Sequence, residues 1–182
     1  INFIMDIENL SYPEAVEFLA KRANMPMPEE TNDAESRKRA RMLALNKDAA
    51  RFFYEQLSTP LGESAREYIG KRFGLGAAPD DWSLLLNAME KKGYTGQELF
   101  EAGLARRGKN GGYYDTFRNR LMFPVIDVRG NVIGFSGRIL GDGEPKDMNS
   151  PETLVFNKSR NLFALNLAKK SKSGYIILSE GN

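Results

Sequence analysis

Leu121-Met122-Phe123-Pro124-Val125-Ile126-Asp127-Val128 and Val132-Ile133-Gly134-Phe135-Ser136-Gly137-Arg138-Ile139-Leu140 are two strand-like runs. Between them, Arg129-Gly130-Asn131 supplies the glycine and asparagine that a tight hairpin needs. In the second run Ile133, Phe135 and Ile139 share one face, which packs the core, while Gly134, Ser136 and Arg138 share the other. That second face is bare apart from one guanidinium, so a backbone or a phosphate could lie against it. A structural ion pair for Arg138 is the competing reading.

Ahead of the hairpin the period is helical. Ser11-Tyr12-Pro13-Glu14 opens a helix with a capping hydroxyl, an early proline and a glutamate three residues after the serine, and Val16, Leu19, Ala20 and Ala23 line its face up to Met25-Pro26. Residues 26–36 read as a polar linker. A long helix is expected over 35–57, with Met42, Leu45, Ala49, Phe52 and Phe53 as its core stripe. Arg37, Lys38, Arg39 and Arg41 near its start fit either a solvated face or phosphate contact. A short helix is expected over 64–70, then a small-residue segment, Phe73-Gly74-Leu75-Gly76-Ala77-Ala78-Pro79, where a ligand or another backbone could approach closely. Its other reading is a tight buried connection with Trp82 anchoring the next helix. Helices follow over 82–92 and 95–102, the latter opened by Thr95 with Glu98 three residues on. Beyond the hairpin, a helix over 160–171 and a buried strand over 175–179 are expected. The fold class is therefore α+β, a helical amino-terminal part followed by an antiparallel or mixed sheet region.

Composition narrows the chemistry. The chain has 182 residues, 41% of them hydrophobic, enough for a genuine core. No apolar run reaches the roughly 18 residues of a membrane span, and Ile1 does not open a leader, so a soluble cytoplasmic protein without membrane partners is expected. The absence of Cys and His excludes disulfides, thiolate and histidine catalysis and the usual zinc sites. Charge is unevenly placed: residues 1–102 carry 13 Lys and Arg against 17 Asp and Glu, and residues 103–182 carry 13 against 7. The basic half is the candidate nucleic-acid face, with a merely solvated surface as the alternative.

Three basic clusters fall in that half: Arg118 and Arg120, Arg138, and Lys146 with Lys158 and Arg160. They are expected to converge on a strand backbone or a nucleoside triphosphate, Arg gripping phosphate in a bidentate way and Lys acting as a mobile charge. Asn149, in the Pro145-Lys146-Asp147-Met148-Asn149-Ser150-Pro151 loop, offers donor and acceptor to a base or sugar. Glu180 follows the apolar run Tyr175-Ile176-Ile177-Leu178, where a carboxylate is placed to hold Mg²⁺ or act in acid/base chemistry, although a lone glutamate after a strand is also an ordinary surface residue.

The motifs Tyr114-Asp115-x-Phe117-Arg118-x-Arg120-x-Met122-Phe123-Pro124, Gly130-x-Val132-Ile133-Gly134-Phe135-x-Gly137-Arg138 and Pro145-Lys146-x-x-Asn149-Ser150-Pro151-Glu152-Thr153 closely resemble the RNA-polymerase core of bacterial replicative primases. The resemblance implies three parts: 1–104, the mainly helical part; 105–172, a basic α+β nucleic-acid-binding part; and 173–182, the first strand of a truncated Toprim-type α/β fold. It also implies an enzyme making short RNA primers on single-stranded DNA by Mg²⁺- or Mn²⁺-assisted attack of a 3′ hydroxyl on an α-phosphate. Template and nucleotide binding would fall to Arg72, Arg118, Arg120, Arg138, Lys146, Asn149, Lys158 and Arg160, and the first Toprim carboxylate to Glu180. The implied partners are the template, nucleoside triphosphates, the RNA–DNA product and, through a domain outside this chain, the replicative helicase. Zinc is implied only in an amino-terminal domain outside it, and the setting is the bacterial nucleoid.

Three departures stand out. Asp147 sits where the family usually has tyrosine, Thr116 where arginine is frequent, and a short stretch is missing between Lys71 and Phe73, as a deletion or a closed-up segment. With one Toprim carboxylate, this chain alone is expected to be inactive. The alternative function is a non-catalytic module for single-stranded nucleic acid, using the same basic face.

Overall fold

A computed structural model describes residues 1–8, 10, 12–26, 33–63, 65–66, 75–172 and 175. Its helices are α1 (Asn2–Glu8), α2 (Tyr12–Arg22), α3 (Asp33–Gln56), α4 (Leu84–Lys91), α5 (Gly96–Glu101) and α6 (Leu165–Ala168). Its strands are β1 (Gly76–Ala78), β2 (Ala105–Arg107), β3 (Tyr113–Asp115), β4 (Arg120–Ile126), β5 (Val132–Ile139) and β6 (Asp147–Asn149). The class is mixed α+β, as the change of period at the hairpin implies.

Strands β4 and β5 form the centre of an antiparallel sheet in the order β1-β4-β5-β6, and β2 pairs with β3 in a separate ribbon. The hairpin turn owes as much to Asp127 as to its glycine. Asp127 Oδ1 accepts from the Arg129 and Asn131 amides at 2.9 and 2.8 Å, and Gly130 takes φ +90°, which a side chain would strain.

α3 lies across this sheet because its apolar stripe matches the sheet's inner face. Leu45, Ala49 and Phe53 are buried with Leu85, Met89, Leu99, Met122, Ile133 and Phe135 in one core that continues to Phe156. Phe53 and Phe135 meet edge to face with centroids 5.4 Å apart, and Phe117 meets Phe135 at 6.3 Å. Each buried ring contributes about 1.5–3 kcal/mol of transfer free energy. The core draws on residues on both sides of position 104.

Several local expectations change. The small-residue segment is strand β1, buried throughout, and a Cβ on Gly76 would stand 2.6 Å from Phe53 Cβ. What approaches closely is therefore the backbone of α3. Trp82 does not anchor α4 through its ring, which is 63% exposed. The face of Gly134 and Ser136 is not bare: both are buried, and a Cβ on Gly134 would meet Phe156 at 3.1 Å and Ser150 at 3.3 Å. The segment after Pro145 forms an edge strand, β6, instead of a loop. The expected helix over 160–171 shrinks to a 3-10 turn at Lys158–Arg160 and the single turn of α6, which Ala164 precedes with φ +60°. Helix α1 and the β2–β3 ribbon lie outside the sequence reading. The expected strand over 175–179 falls, except for Tyr175, outside the described residues.

Candidate nucleic-acid interface

The ribbon and the loop before α4 build the first part of the site. Asp115, at the end of β3, is 2% exposed and turns its carboxylate onto the start of α4, accepting from the Leu85 and Leu86 amides at 2.8 and 2.9 Å. Burial pushes its pKa up and the two amides oppose that shift. Its own amide donates to Trp82 O at 2.8 Å, fixing the backbone beneath the indole. Arg118 then donates to Asp115 O and lays its guanidinium 4.0 Å from the Trp82 ring centroid, with Tyr114 5.4 Å from both the guanidinium and the indole. An aromatic-backed arginine of this kind has further donors with which to meet an anion.

The second part sits on β5 and β6. Arg138 is opposite Asp147 in register, with Nη1 3.7 Å from Oδ1. Lys146 and Asn149, flanking Asp147 and Met148, are exposed, and among the described residues no carboxylate pairs with Lys146. Arg120 occupies a different place from the one its charge suggests. It is 4% exposed and donates to Gly137 O and Lys146 O at 3.1 Å and to Pro145 O at 2.9 Å. Burial first, and then the neighbouring Arg118, lowers its pKa. Its place is beneath the Lys146 segment, holding that backbone, and not on the open face.

The expected convergence is partial. Arg118, Arg120, Arg138 and Lys146 gather at one end of the sheet. Arg160 instead lines a cavity with Arg129, Asp127 and Ile133 at the hairpin-turn end. Arg138 lies five residue steps along β5 from Ile133, roughly 17 Å. Lys158 is exposed on the 3-10 turn, its amide held by Glu152 Oε1 at 2.9 Å. Arg72 and Glu180 lie outside the described residues. Among the described residues, no group of three or more Asp or Glu side chains could hold a metal ion. No described helix is long and apolar enough to cross a membrane.

Lys38, Arg39 and Arg41, at the start of α3, each meet a carboxylate. Lys38 meets Glu101 at 2.9 Å, and Arg41 meets Glu98 at 2.8 Å while lying 4.2 Å from the Tyr94 centroid. Arg39 Nε is 3.2 Å from Glu14 Oε1, a charge contact without hydrogen-bond geometry, and its Nη1 donates to Leu154 O at 2.7 Å. Sequence reasoning missed Arg106 and Arg107 on β2. The signal available was the turn Gly108-Lys109-Asn110-Gly111-Gly112 between Arg107 and Tyr113, closed by Gly108 N donating to Gly112 O at 2.7 Å.

Comparison with known proteins places this arrangement. The model for the DNA primase catalytic core, N-terminal domain, matches residues 52–169. The DNA primase of Clostridium acetobutylicum is 42% identical over 194 aligned positions that take in 100% of this chain and 32% of the relative. That of Escherichia coli K12 is 38% identical, over 95% of this chain and 32% of the relative. Among solved structures, the DnaG primase catalytic domain bound to ssDNA superposes with a TM-score of 0.70 at 38% identity, covering 74% of this chain and 46% of that one. The RNA polymerase domain of Mycobacterium tuberculosis primase DnaG in complex with double-stranded DNA gives 0.68 at 38% identity, covering 72% and 45%. Fold and matches together define a mixed α+β catalytic-core module. The chain belongs to the family of the DNA primase catalytic core, N-terminal domain. It spans about a third of the length of the curated relatives it matches.

Proposed function

We propose that this chain is the template-binding part of a DNA-dependent RNA polymerase that lays short RNA primers on single-stranded DNA during replication. The observation that carries this reading is Arg118, stacked 4.0 Å over Trp82 at the same sheet end as exposed Lys146. A relative of the same fold was solved bound to ssDNA, and the curated relatives are DNA primases, which favours a polymerase over a non-catalytic binding module.

In this reading Arg118, Arg138 and Lys146 neutralise backbone phosphates of the template or the triphosphate of an incoming nucleotide, and Asn149 meets a sugar or base edge. Arg120 acts through the Lys146 segment it holds. Lys158, Arg160 and Arg72 extend the basic path. The residues that follow the basic part, 173–182, open a Toprim-type fold in the longer protein, where Glu180 binds Mg²⁺ or Mn²⁺; the metal would supply charge neutralisation at the triphosphate. Among the described residues, no group of three or more Asp or Glu side chains could hold that ion. The proposal includes an RNA–DNA product, a helicase partner and, where zinc is used, an amino-terminal zinc domain, both reached through parts of the longer protein, and a place in the bacterial nucleoid.

The test is a salt series of single-stranded DNA binding by the chain and by Arg118→Ala and Lys146→Ala. Each variant is expected to bind less tightly and to lower the slope of log affinity against log salt by about one. Unchanged binding and slope in both variants would overturn the assignment. In the longer protein, Glu180→Gln is expected to keep DNA binding and lose Mg²⁺-dependent ribonucleotide incorporation, and full incorporation would remove Glu180 from the metal site.

A further inference from the structure

We propose that Asn110, at the tip of the β2–β3 ribbon, is a self-modification site, where the Gly111 amide nitrogen displaces ammonia from the Asn110 carboxamide and a carboxylate is left in its place. The reaction needs no co-reactant except water. The Gly111 nitrogen bonds to Asn110 Cγ, its proton goes through solvent to the departing ammonia, and a five-membered succinimide closes. Water then opens the ring at either carbonyl. One opening gives aspartate, and the other gives isoaspartate, in which the main chain runs through the side-chain carbon.

Sequence supplies the first ground. Asparagine is a thermally labile residue, and the nitrogen that attacks it belongs to the residue that follows. Asn110 is the single asparagine of the chain followed by glycine, which sets no Cβ beside that nitrogen and leaves the backbone its widest range. Other asparagines are engaged and crowded. Asn119 and Asn131 precede Arg120 and Val132, and their carboxamides donate to Leu140 O and Asp127 Oδ2, each at 3.0 Å. Asn157, ahead of Lys158, accepts from the Ser159 amide and hydroxyl at 3.0 and 2.7 Å.

The turn is the second ground. Lys109 and Asn110 are its central residues, closed in by Gly111 N donating to Gly108 O at 3.0 Å and Gly108 N donating to Gly112 O at 2.7 Å. Residues 109–112 are exposed, and the Asn110 carboxamide has no hydrogen-bond partner among the described residues. A Cβ added at Gly111 or Gly112 would meet nothing within 4 Å, so no packing holds the tip. The bond to Gly108 O restrains the attacking nitrogen. An exposed backbone bond at a ribbon tip stands at the low end of local stability, and its opening frees that nitrogen.

Either product changes the tip. Lys109 pairs with no carboxylate among the described residues, so a new carboxylate beside it takes the tip from cationic to neutral. Isoaspartate also adds one atom to the main chain, which strains the Gly108–Gly112 closure and the Arg107–Tyr113 pair next to it. Tyr114, which backs Arg118, lies four residue steps from Asn110, roughly 13 Å. That is slightly beyond the screening length of about 10 Å at 0.1 M salt, so template binding is expected to respond at low salt alone. This consequence rests on the reading of the chain as a template binder; the modification does not.

The experiment incubates the whole chain, warm and mildly alkaline, and follows its peptides by mass and chromatography for wild type, Gly111→Ala and Asn110→Gln. Expected in wild type is a gain of about 1 Da confined to the peptide that carries Asn110, divided between two forms of equal mass. Gly111→Ala is expected to gain about tenfold more slowly, and Asn110→Gln not to gain. A Gly111→Ala gain at the wild-type rate would mean direct attack by water and overturn the mechanism. No gain in the folded chain, beside a gain in the same chain unfolded in guanidinium, would show that the turn protects Asn110 and overturn the site. For the consequence, Asn110→Asp is expected to bind a short oligothymidylate about twofold more weakly than wild type at low salt and equally at high salt. Equal binding at low salt would overturn the consequence. No binding by wild type would strike the template-binding reading and leave the mass result standing.

Discussion

Arg138 and Asp147 face each other across β5 and β6, Nη1 3.7 Å from Oδ1, so the edge strand that follows Lys146 and carries Asn149 also carries a carboxylate that competes for the neighbouring guanidinium. Both side chains are substantially exposed, at 40% and 54%, and an exposed pair of this kind is worth about 0.2–1 kcal/mol. Asp147→Asn keeps the size and removes the competitor and one negative charge. Single-stranded DNA is then expected to bind about two- to fivefold tighter, with a steeper salt dependence, because Arg138 becomes free to displace a counterion. Affinity measured across salt concentrations checks this, and an unchanged affinity would mean that the strand does not reach Arg138.

Arg120 illustrates a charge used to build. Three of its donors end on carbonyls of Gly137, Pro145 and Lys146, and the side chain is nearly closed to water. Arg120→Met fits the volume and leaves those carbonyls without their donor, at a cost of about 2–4 kcal/mol or about 5–15 °C in Tm. DNA binding is expected to weaken indirectly as the Lys146 segment loosens. Thermal melting separates the cases: a DNA contact would leave Tm where it was.

What the sequence made legible is what local chemistry determines. The β4–β5 hairpin follows from alternation and from Gly130, and the start of α5 follows from Thr95 and Glu98, which form a reciprocal capping box in the structure. What stayed hidden depends on distant partners. The face of Gly134 looks open until Phe156, twenty-two residues on, covers it. Charge alone cannot tell buried Arg120 from outward-facing Arg118, since the two are separated by one residue and differ in which carbonyls lie within reach. The β2–β3 ribbon escaped because three-residue strands are too short to show a period. An anchoring role for Trp82 stands as one of two readings because a large ring usually seeks the core, whereas here Asp115 holds the backbone and the ring stays exposed.

Asp48 gives the chain an acid-sensitive joint. Its carboxylate accepts from Lys92 Nζ and Tyr94 Oη, both at 2.9 Å, and joins α3 to the segment between α4 and α5. The Lys92 hydrogen bond leads the causes that hold its pKa below the usual 3.8, with Tyr94 adding to it. A carboxylate whose pKa is depressed by folding stabilises the native state fully above its unfolded pKa, and that contribution is lost as pH falls through the folded value. Asp48→Asn is expected to lower Tm by about 2–4 °C near neutral pH and to shrink the gap from wild type as the solution is acidified. Melting curves from neutral pH down to about pH 3 check the sign; a gap that widens in acid would refute the joint.

Asp115 has the opposite sign. Burial raises its pKa above the usual aspartate value, so its protonated form is favoured in the folded chain, and the stability it contributes is fully present below its unfolded pKa and declines as pH rises through the folded one. The same carboxylate supplies the acceptors at the start of α4, where the Ser83 side chain makes no cap hydrogen bond. Asp115→Ala is expected to orphan two buried amides at a cost of about 1–2 kcal/mol. Asp115→Asn retains one acceptor without the buried charge, so its deficit is expected to be smaller and to narrow as pH rises, since the wild type weakens over that window and the variant does not. Because Asp115 also fixes the backbone of Trp82 and receives Arg118 on its carbonyl, the Ala variant is expected to shift Trp82 fluorescence even without DNA. An unshifted indole spectrum together with an unchanged Tm would show that α4 and the Arg118 stack stand without this carboxylate.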